Sequence, residues 1–297
     1  MTHDLEALEV FFGQATETYC RVYARLANPP AGCELRGTIH GPECRYAHTL
    51  PASYPMRPAA PGTTLLAEAL VPEPCFWTPA TPHLYQVDVE LHQAGKSVTH
   101  ASRTLAIRPL GVHGQSLRLA GERWVPRCVG HEVVPQSFSA ADWREAFAAA
   151  HQLTIDGEFL SGASELGVLV IQHLPESSDT TALLQQIRAL GREPAVGIVS
   201  LSGNLPADFA PREAARNLLI AQRFGPGESI SLAPWAQLAV CDVGELGTFA
   251  SRLQGCPLPI LAWRPTVKSA NVADARALCD ELQRDLAPLG DFAGFMV

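Results

Sequence analysis

The sequence predicts a chain of two parts, a β-sandwich followed by a compact (β/α)₈ barrel. Residues 18–110 contain short runs of alternating apolar and polar residues separated by turn clusters, which is typical of an antiparallel sandwich of immunoglobulin size. From about residue 123, continuous apolar runs alternate with helical patterns, as in parallel βα units. We therefore predict an N-terminal extension over residues 1–17, a sandwich over 18–110 and a shortened barrel over 111–297.

The sandwich strands follow from the alternating runs in the first part of the chain. Clusters of proline, glycine and asparagine at 28–30, 58–62 and 93–96 mark the turns between them. No helical period interrupts this series. The predicted strands are residues 19–26, 35–39, 64–70, 84–91 and 97–107.

The barrel strands follow from eight apolar runs at 124–129, 153–156, 168–172, 195–201, 230–233, 238–241, 259–263 and 292–297. Helix start and stop signals lie between them. Ser139 opens a predicted helix over 140–151, Asp179 and Gly191 bound a second, Pro211 opens a third over 212–224, and Asn271 opens the last. Eight strands suit a closed barrel, although the tract is shorter than the roughly 200 residues usual for one. We therefore expect reduced loops.

Composition excludes several classes of protein. The chain is 47% hydrophobic and 18% charged, which excludes intrinsic disorder. Its net charge of −8 provides no basic face, so we expect no nucleic-acid partner. No apolar run approaches the length of a membrane span, and the first residues lack the features of a signal peptide. We therefore expect a cytoplasmic protein without a membrane partner.

The eight cysteines are scattered through the chain without a C-x-x-C pair. We interpret them as small buried hydrophobic residues rather than as disulfides or metal ligands. The ten histidines show no ligand spacing, and no phosphate- or dinucleotide-binding motif is present. The sequence thus predicts no metal and no cofactor.

Three segments carry a resemblance to a known family. FWTPATPHLY at residues 76–85 resembles the LWSPETPNLY segment of glycoside hydrolase family 2, the β-galactosidase and β-glucuronidase family. PRCVGHE at 126–132 is similar to that family's first barrel strand, and ASELGVLV at 163–170 to its "aDelGllv" segment. The resemblance implies an immunoglobulin-like domain directly ahead of a glycosidase barrel.

The same resemblance implies that both catalytic carboxylates are missing. In the family, the acid/base glutamate follows barrel strand four and the nucleophile ends strand seven. Residues 193–205 are similar to the first segment, with Asn204 on the family asparagine and Leu205 on the glutamate. Residues 258–265 are similar to the second, with Arg264 on the nucleophile. Leucine cannot transfer a proton and a permanently charged arginine cannot attack an anomeric carbon.

Our leading hypothesis is therefore a catalytically inactive relative with a residual carbohydrate-binding or scaffold role. The first alternative is an active retaining β-glycosidase that uses displaced carboxylates, namely Glu132, Glu158, Glu176 or Asp242. The second is a protein-interaction module without a sugar site. In that case Leu205 and Trp263 plug the barrel mouth, and Arg264 pairs with an acid such as Asp242.

The candidate pocket residues share one property, a place at or just after the carboxyl end of a predicted strand. His131 and Glu132 match the family's His-Glu pair, and Trp235 and Trp263 are either sugar-stacking platforms or core residues. A carbohydrate is the expected ligand, and a homo-oligomer is left open. The candidates are His131, Glu132, Glu158, Glu176, Asn204, Trp235, Asp242, Trp263 and Arg264.

Overall fold

The computed structural model describes residue 5 and residues 7–297, apart from 61–63, 204, 207, 254–255, 266–267 and the side chain of residue 60. It divides into two compact units, each with its own core. The first is Met1–Arg108 with Arg192–Pro194, and the second is Pro109–Gly191 with Ala195–Val297. Among the described residues, no helix is long and apolar enough to cross a membrane.

The first unit is a seven-stranded antiparallel sheet in the order β1-β2-β5-β4-β3-β6-β7. Strand β4 pairs with β3 through its first half and with β5 through its second half. This change of partner folds the sheet into two layers around one core. The strands are β1 (Glu9–Ala15), β2 (Tyr19–Ala27), β3 (Cys33–Glu43), β4 (Ala52–Ala60), β5 (Thr64–Pro72), β6 (Leu84–Gln93) and β7 (Lys96–Leu105).

The core of the first unit follows from the alternation of its strands. Val22 and Ala24 of β2 and Val87 and Val89 of β6 are completely buried, while the residues between them are more exposed. The five predicted strands correspond to β2, β3, β5, β6 and β7. Two strands were not among the predicted ones: β1, which lies in the predicted extension over residues 1–17, and β4. The sequence missed β4 because its two prolines read as turn signals. They are tolerated because each half of β4 pairs on only one side.

The second unit is a closed barrel of eight parallel strands, β11 to β18. A small antiparallel sheet of β8 (Leu110–His113), β9 (Ser116–Leu119) and β10 (Glu122–Trp124) precedes it. The barrel strands are β11 (Arg127–Gly130), β12 (Ala149–Gln152), β13 (Val170–His173), β14 (Val196–Ser202), β15 (Leu219–Phe224), β16 (Leu238–Asp242), β17 (Ile260–Trp263) and β18 (Gly294–Met296). The helices are α1 (Ala140–Glu145), α2 (Gly157–Leu166), α3 (Thr180–Leu190), α4 (Pro211–Ala214), α5 (Leu246–Arg252) and α6 (Val272–Leu286).

The structure corrects the predicted second and fifth barrel strands. Helix α1 ends at Glu145, and the second strand is β12 rather than residues 153–156. Phe147, with φ 52° and 86% exposure, forms the turn between them. The fifth strand is β15, which lies inside the tract predicted as a helix over 212–224. Both strands are buried on nearly every residue, so their sequences show no alternation that separates strand from helix.

The barrel interior is a packed apolar core. Leu117 of β9 belongs to this core and Leu110 of β8 packs against it, so the small sheet closes the amino-terminal end of the barrel. The core therefore leaves the carboxyl ends of the strands as the place for a functional site. Its buried strand residues include Cys128, Ala149, Ile171, Ile198, Leu219, Ala221, Leu238, Val240, Leu261 and Met296.

Candidate functional site at the barrel mouth

Six side chains from the carboxyl-terminal halves of the barrel strands form what we call the mouth cluster. Each lies two residues after an apolar residue of the barrel interior on the same strand, and alternation therefore directs it inward as well. The mouth cluster consists of His151 on β12, His173 on β13, Ser200 on β14, Arg223 on β15, Asp242 on β16 and Trp263 on β17.

The three rings of the mouth cluster pack against one another. The Trp263 ring stacks on His173, with centroids 5.4 Å apart and planes 15° apart. His151 meets both rings edge-on, at 5.2 Å from His173 and 5.9 Å from Trp263. As a result, His151 and His173 are only 2% and 1% exposed.

Burial holds both histidines in their neutral form. Desolvation lowers the pKa of His151, while the hydrogen bond to the Val297 carbonyl and the nearby Glu132 carboxylate act in the opposite direction. Desolvation is the main cause that lowers the pKa of His173, and the nearby His151 and Arg223 lower it as well. Neutral imidazoles carry one N–H donor and one acceptor nitrogen each.

The polar atoms of the cluster are poorly satisfied. His151 Nε2 lies 2.8 Å from the Val297 carbonyl oxygen, so Nε2 carries the proton and donates it. Nδ1 of His151, both ring nitrogens of His173 and Oγ of Ser200 are buried without a hydrogen-bond partner. Most buried polar atoms in proteins have such a partner. These unpartnered atoms lie on three neighbouring strands, and they therefore make the carboxyl ends of those strands the candidate site.

Arg223 brings a positive charge to the mouth. Its side chain is half-buried, and burial lowers its pKa, whereas the Glu176 carboxylate raises it. Its guanidinium Nη2 donates a hydrogen bond to the Leu174 carbonyl oxygen at 3.4 Å. Among the described residues, no carboxylate oxygen lies within 4.0 Å of its guanidinium nitrogens. The charge is therefore only partly compensated.

The four predicted acids lie in four different segments of the barrel unit. Glu132 is exposed and accepts a hydrogen bond from the Leu153 amide at 2.5 Å. Asp242 is the last residue of β16 and accepts from the Gly244 amide at 2.9 Å. Glu158 is exposed in the first turn of α2, and Glu176 is exposed in the loop after β13.

Two other candidates pack outside the barrel interior. His131 stacks on Trp143 at 5.6 Å and meets the edge of Phe159 at 4.8 Å. Trp235 is 4% exposed, lies 6.4 Å from Phe209 and belongs to the large core cluster that includes the helices. Both therefore contribute to packing between the strands and the surrounding helices.

The two positions that the resemblance assigns to catalysis also lie apart from the mouth cluster. Arg264 forms an ion pair of 2.9 Å with Asp285 of α6, rather than with Asp242. Leu205 is half-buried against the outer core cluster. Asn204 lies outside the described residues. Of the predicted candidates that the structure describes, Trp263 and Asp242 belong to the mouth cluster.

Sequence reasoning missed the other four members of the cluster. Their signal was a polar residue near the end of an otherwise buried strand, as in AAHQ, VIQH and LIAQRF. Misplacing the second and fifth strands concealed His151 and Arg223. Among the described residues, no group of three or more histidine, cysteine, aspartate or glutamate side chains is placed to hold a metal ion.

Comparison with known proteins finds one family that matches part of the sequence and a set of solved structures that share the fold. The family Glycosyl hydrolases family 2 matches residues 35–108, which lie within the first unit. No curated protein sequence matches the chain. The sequence and fold together make the chain similar to family 2 glycosidases.

Three solved structures illustrate the shared fold. The Bacteroides uniformis β-glucuronidase aligns with a TM-score of 0.63 at 14% identity, over 98% of this chain and 45% of that chain. A putative β-galactosidase from Bacteroides fragilis gives 0.61 at 13%, over 98% and 54%. A family 2 member from Bacteroides cellulosilyticus gives 0.65 at 14%, over 98% and 43%. The chain thus spans about half the length of the structures it matches.

Proposed function

We propose that this family 2-like chain is a non-hydrolytic relative of the glycosidases, with a carbohydrate-binding or scaffold role at the barrel mouth. One observation carries the proposal. The inward side chains at the ends of the fourth and seventh barrel strands are Ser200 on β14 and Trp263 on β17. Neither is a carboxylic acid.

Retaining glycosidases require two carboxyl groups about 5 Å apart, one as acid/base and one as nucleophile. Serine and tryptophan at these strand ends perform neither role in that mechanism. The nearby arginine after β17 does not restore it, because Arg264 is paired with Asp285. Losing a general acid alone reduces a rate by about 10²- to 10⁴-fold. Loss of both groups therefore supports a protein without turnover.

The displaced-carboxylate alternative has weaker support. Glu132 and Asp242 each have one carboxylate oxygen occupied by a backbone amide. Glu158 and Glu176 are exposed on a helix and a loop. A catalytic pair needs two carboxyl groups that face one reacting centre, and of these four acids only Asp242 lies at an inward position of a barrel strand.

A protein-interaction module remains the second candidate because of exposed apolar side chains near the mouth. Leu153 and Ile155, in the loop after β12, are 47% and 52% exposed. Exposed apolar residues grouped at one end of a fold are typical of protein-binding surfaces. A sugar-binding result would favour the leading proposal over this one.

The decisive experiment is hydrolysis of aryl β-galactoside, β-glucuronide, β-mannoside and β-glucoside by concentrated, folded protein over long incubation. We expect no release of aglycone above a boiled control. Turnover that disappears in Glu132→Gln, Glu158→Gln, Glu176→Gln or Asp242→Asn would establish the displaced-carboxylate mechanism instead. Turnover that survives all four substitutions would indicate a contaminating glycosidase.

A further inference from the structure

We propose that the barrel unit has a small-molecule site at the amino-terminal end of its strands, and that this site binds a planar aromatic ring bearing a carboxylate. The site is a cavity of about 370 Å³ beside β10, the end of α6 and the start of β18. It lies at the opposite end of the strands from the mouth cluster. The inference therefore goes beyond the proposed function and does not depend on it.

The size and the lining of the cavity suit one small ring system. A cavity of about 150 Å³ accommodates a benzene ring, and ligand sites in proteins span about 300–1,000 Å³. The apolar part of the lining comes from the half-buried Val125, the exposed Ala287 and the small exposed fractions of Phe292 and Phe295. The rest of the lining is mainly polar. A matching occupant therefore has an apolar body and a polar edge.

Arg127 gives the cavity a flat wall that is held in place. Its Nε donates to Asp280 at 3.0 Å, Nη1 to the Val125 carbonyl oxygen at 3.0 Å and Nη2 to the Gln283 amide oxygen. The guanidinium lies over the Phe295 ring, with its Cζ 5.0 Å from the ring centroid. Planar groups stack on guanidinium faces. A planar ring in the cavity therefore continues the stack that Phe295 and Arg127 begin.

Arg123 provides the partner for a carboxylate on that ring. It lines the cavity together with Asp291, and its Nη2 lies 3.1 Å from the Asp291 carboxylate. The two side chains are 47% and 81% exposed, and ion pairs of such exposure contribute little to stability. Glu122 precedes Arg123 in β10, and alternation directs it to the other face of that strand. A ligand carboxylate therefore competes only with Asp291 for a guanidinium that binds such groups in a bidentate geometry.

The charges around the cavity are not fully balanced. Arg123, Arg127 and Arg276 share two carboxylates, those of Asp280 and Asp291. One added carboxylate balances the three arginines, whereas an aromatic amine would add a fourth positive charge. The other charged side chains in the second half of α6 form ion pairs of their own, Glu281 with Arg284 and Asp285 with Arg264.

Gly290 keeps one side of the cavity free of side chains. Its φ of 139° belongs to a region that residues with a Cβ rarely adopt, and a Cβ at this position would meet no atom within 4 Å. Gly290 lines the cavity where the chain leaves the 3₁₀ turn Ala287–Leu289 on its way to β18. A ligand therefore enters past backbone and displaces no side chain there.

Isothermal titration calorimetry of the full chain at constant ionic strength tests the proposal with three matched probes. Indole-3-carboxylate has both the planar ring and the charge. Indole-3-carboxamide has the ring without the charge, and cyclohexanecarboxylate has the charge without a planar ring. We expect saturable binding of indole-3-carboxylate. The other two probes should bind at least about fivefold more weakly, because each lacks one of the two contacts.

Variants locate the binding. Ala287→Trp fills the cavity and should abolish binding of indole-3-carboxylate. Arg123→Gln should weaken it about fivefold, and Asp291→Asn, which removes the competing carboxylate, should strengthen it about twofold. Arg212→Gln, an exposed substitution on α4, is the control and should bind like the wild type. All four substituted residues are exposed, and circular dichroism and the Tm of each variant show that it is folded.

The proposal is overturned if indole-3-carboxylate does not bind, if either of the other probes binds as tightly, or if folded Ala287→Trp binds like the wild type. Unchanged binding in both Arg123→Gln and Asp291→Asn would also overturn it, because the carboxylate would then have another partner. These results leave the proposed function untouched, since that function is decided by hydrolysis of aryl glycosides at the other end of the barrel.

Discussion

At the scale of single residues, His151 and His173 are the buried titratable groups that distinguish this barrel mouth. Both are neutral because their imidazoles are removed from water, and each retains an unpartnered ring nitrogen. A buried polar atom without a partner costs about 1–3 kcal/mol. The fold therefore accepts a cost at the carboxyl ends of its barrel strands.

The two histidines make stability depend on pH. Their folded-state pKa values lie below the ordinary value of about 6.5, so the unfolded chain binds protons that the folded chain does not. The contribution of these neutral imidazoles to the free energy of unfolding is fully present above about pH 6.5. It is lost as the pH falls below that value. Each histidine adds at most about 1.4 kcal/mol per pH unit to the slope of the unfolding free energy.

Urea denaturation at several pH values between about 8 and 5 measures this slope. We expect His173→Asn to reduce the slope below pH 6.5, and His113→Asn, which changes an exposed histidine, to leave it unchanged. Burial also lowers the pKa of His83, so part of the slope persists in the His173 variant. An unchanged slope in folded His173→Asn would contradict the assignment.

At the scale of secondary-structure elements, Arg252 organises the long segment between β15 and β16. This segment, residues 225–237, contains no helix. From the end of α5, Arg252 donates to the carbonyl oxygens of Glu228 at 2.6 Å, Asp242 at 2.8 Å and Gly225 at 2.8 Å. One side chain thus joins a helix, a strand end and a loop.

Removing these three hydrogen bonds should release the segment. We expect Arg252→Gln to increase hydrogen exchange and proteolytic cleavage within 225–237, while the barrel strands stay protected. Charged hydrogen bonds to backbone oxygens contribute about 1.5–3 kcal/mol each when formed. Arg212→Gln, an exposed substitution on α4, should leave the segment protected. Equal exchange in wild type and Arg252→Gln would show that other contacts hold it.

The sequence predicted secondary-structure elements correctly where it contained a clear alternation of apolar and polar residues or a helix-capping residue. Helix α3 lies between its predicted signals, and Asp179 accepts from the Thr181 and Ala182 amides at 3.0 Å. Strands β12 and β15 were misplaced because all but one of their residues are buried, so no polar face reveals a period of two. Position in the barrel, rather than local sequence, decides their conformation.

At the scale of the whole molecule, the reactivity of the cysteines reports how tightly the cores are packed. Five of them, Cys20, Cys128, Cys241, Cys256 and Cys279, are buried, and all eight are free thiols. Burial raises the pKa of Cys20, Cys241 and Cys279 to about 12. Thiolates are the reactive form, so these thiols should be inert in the folded protein.

Titration with Ellman's reagent checks this arrangement. We expect the native protein to react rapidly at no more than the three half-buried cysteines, Cys33, Cys44 and Cys75. All eight should react in concentrated guanidinium chloride without added reductant. Fewer than eight thiols under denaturing conditions would reveal a disulfide. Rapid reaction of more than three in the native state would show that a core is open.

The overall fold class followed from the sequence, because the change from alternating runs to βα units is visible along the whole chain. The mouth cluster did not follow from it. Resemblance directed attention to Leu205 and Arg264, whereas the inward side chains of the fourth and seventh strands are Ser200 and Trp263. Only the packed barrel shows which residue of each strand end faces inward.

The small sheet that closes the amino-terminal end of the barrel has a consequence for evolution. Leu117 and Leu110 extend the apolar column beneath the mouth, so the apolar layer that holds the barrel together is separate from the mouth cluster above it. Substitutions in the upper layer leave the lower one intact. The side chains at the carboxyl ends of the strands therefore tolerate exchange more readily than those of the apolar layer beneath them.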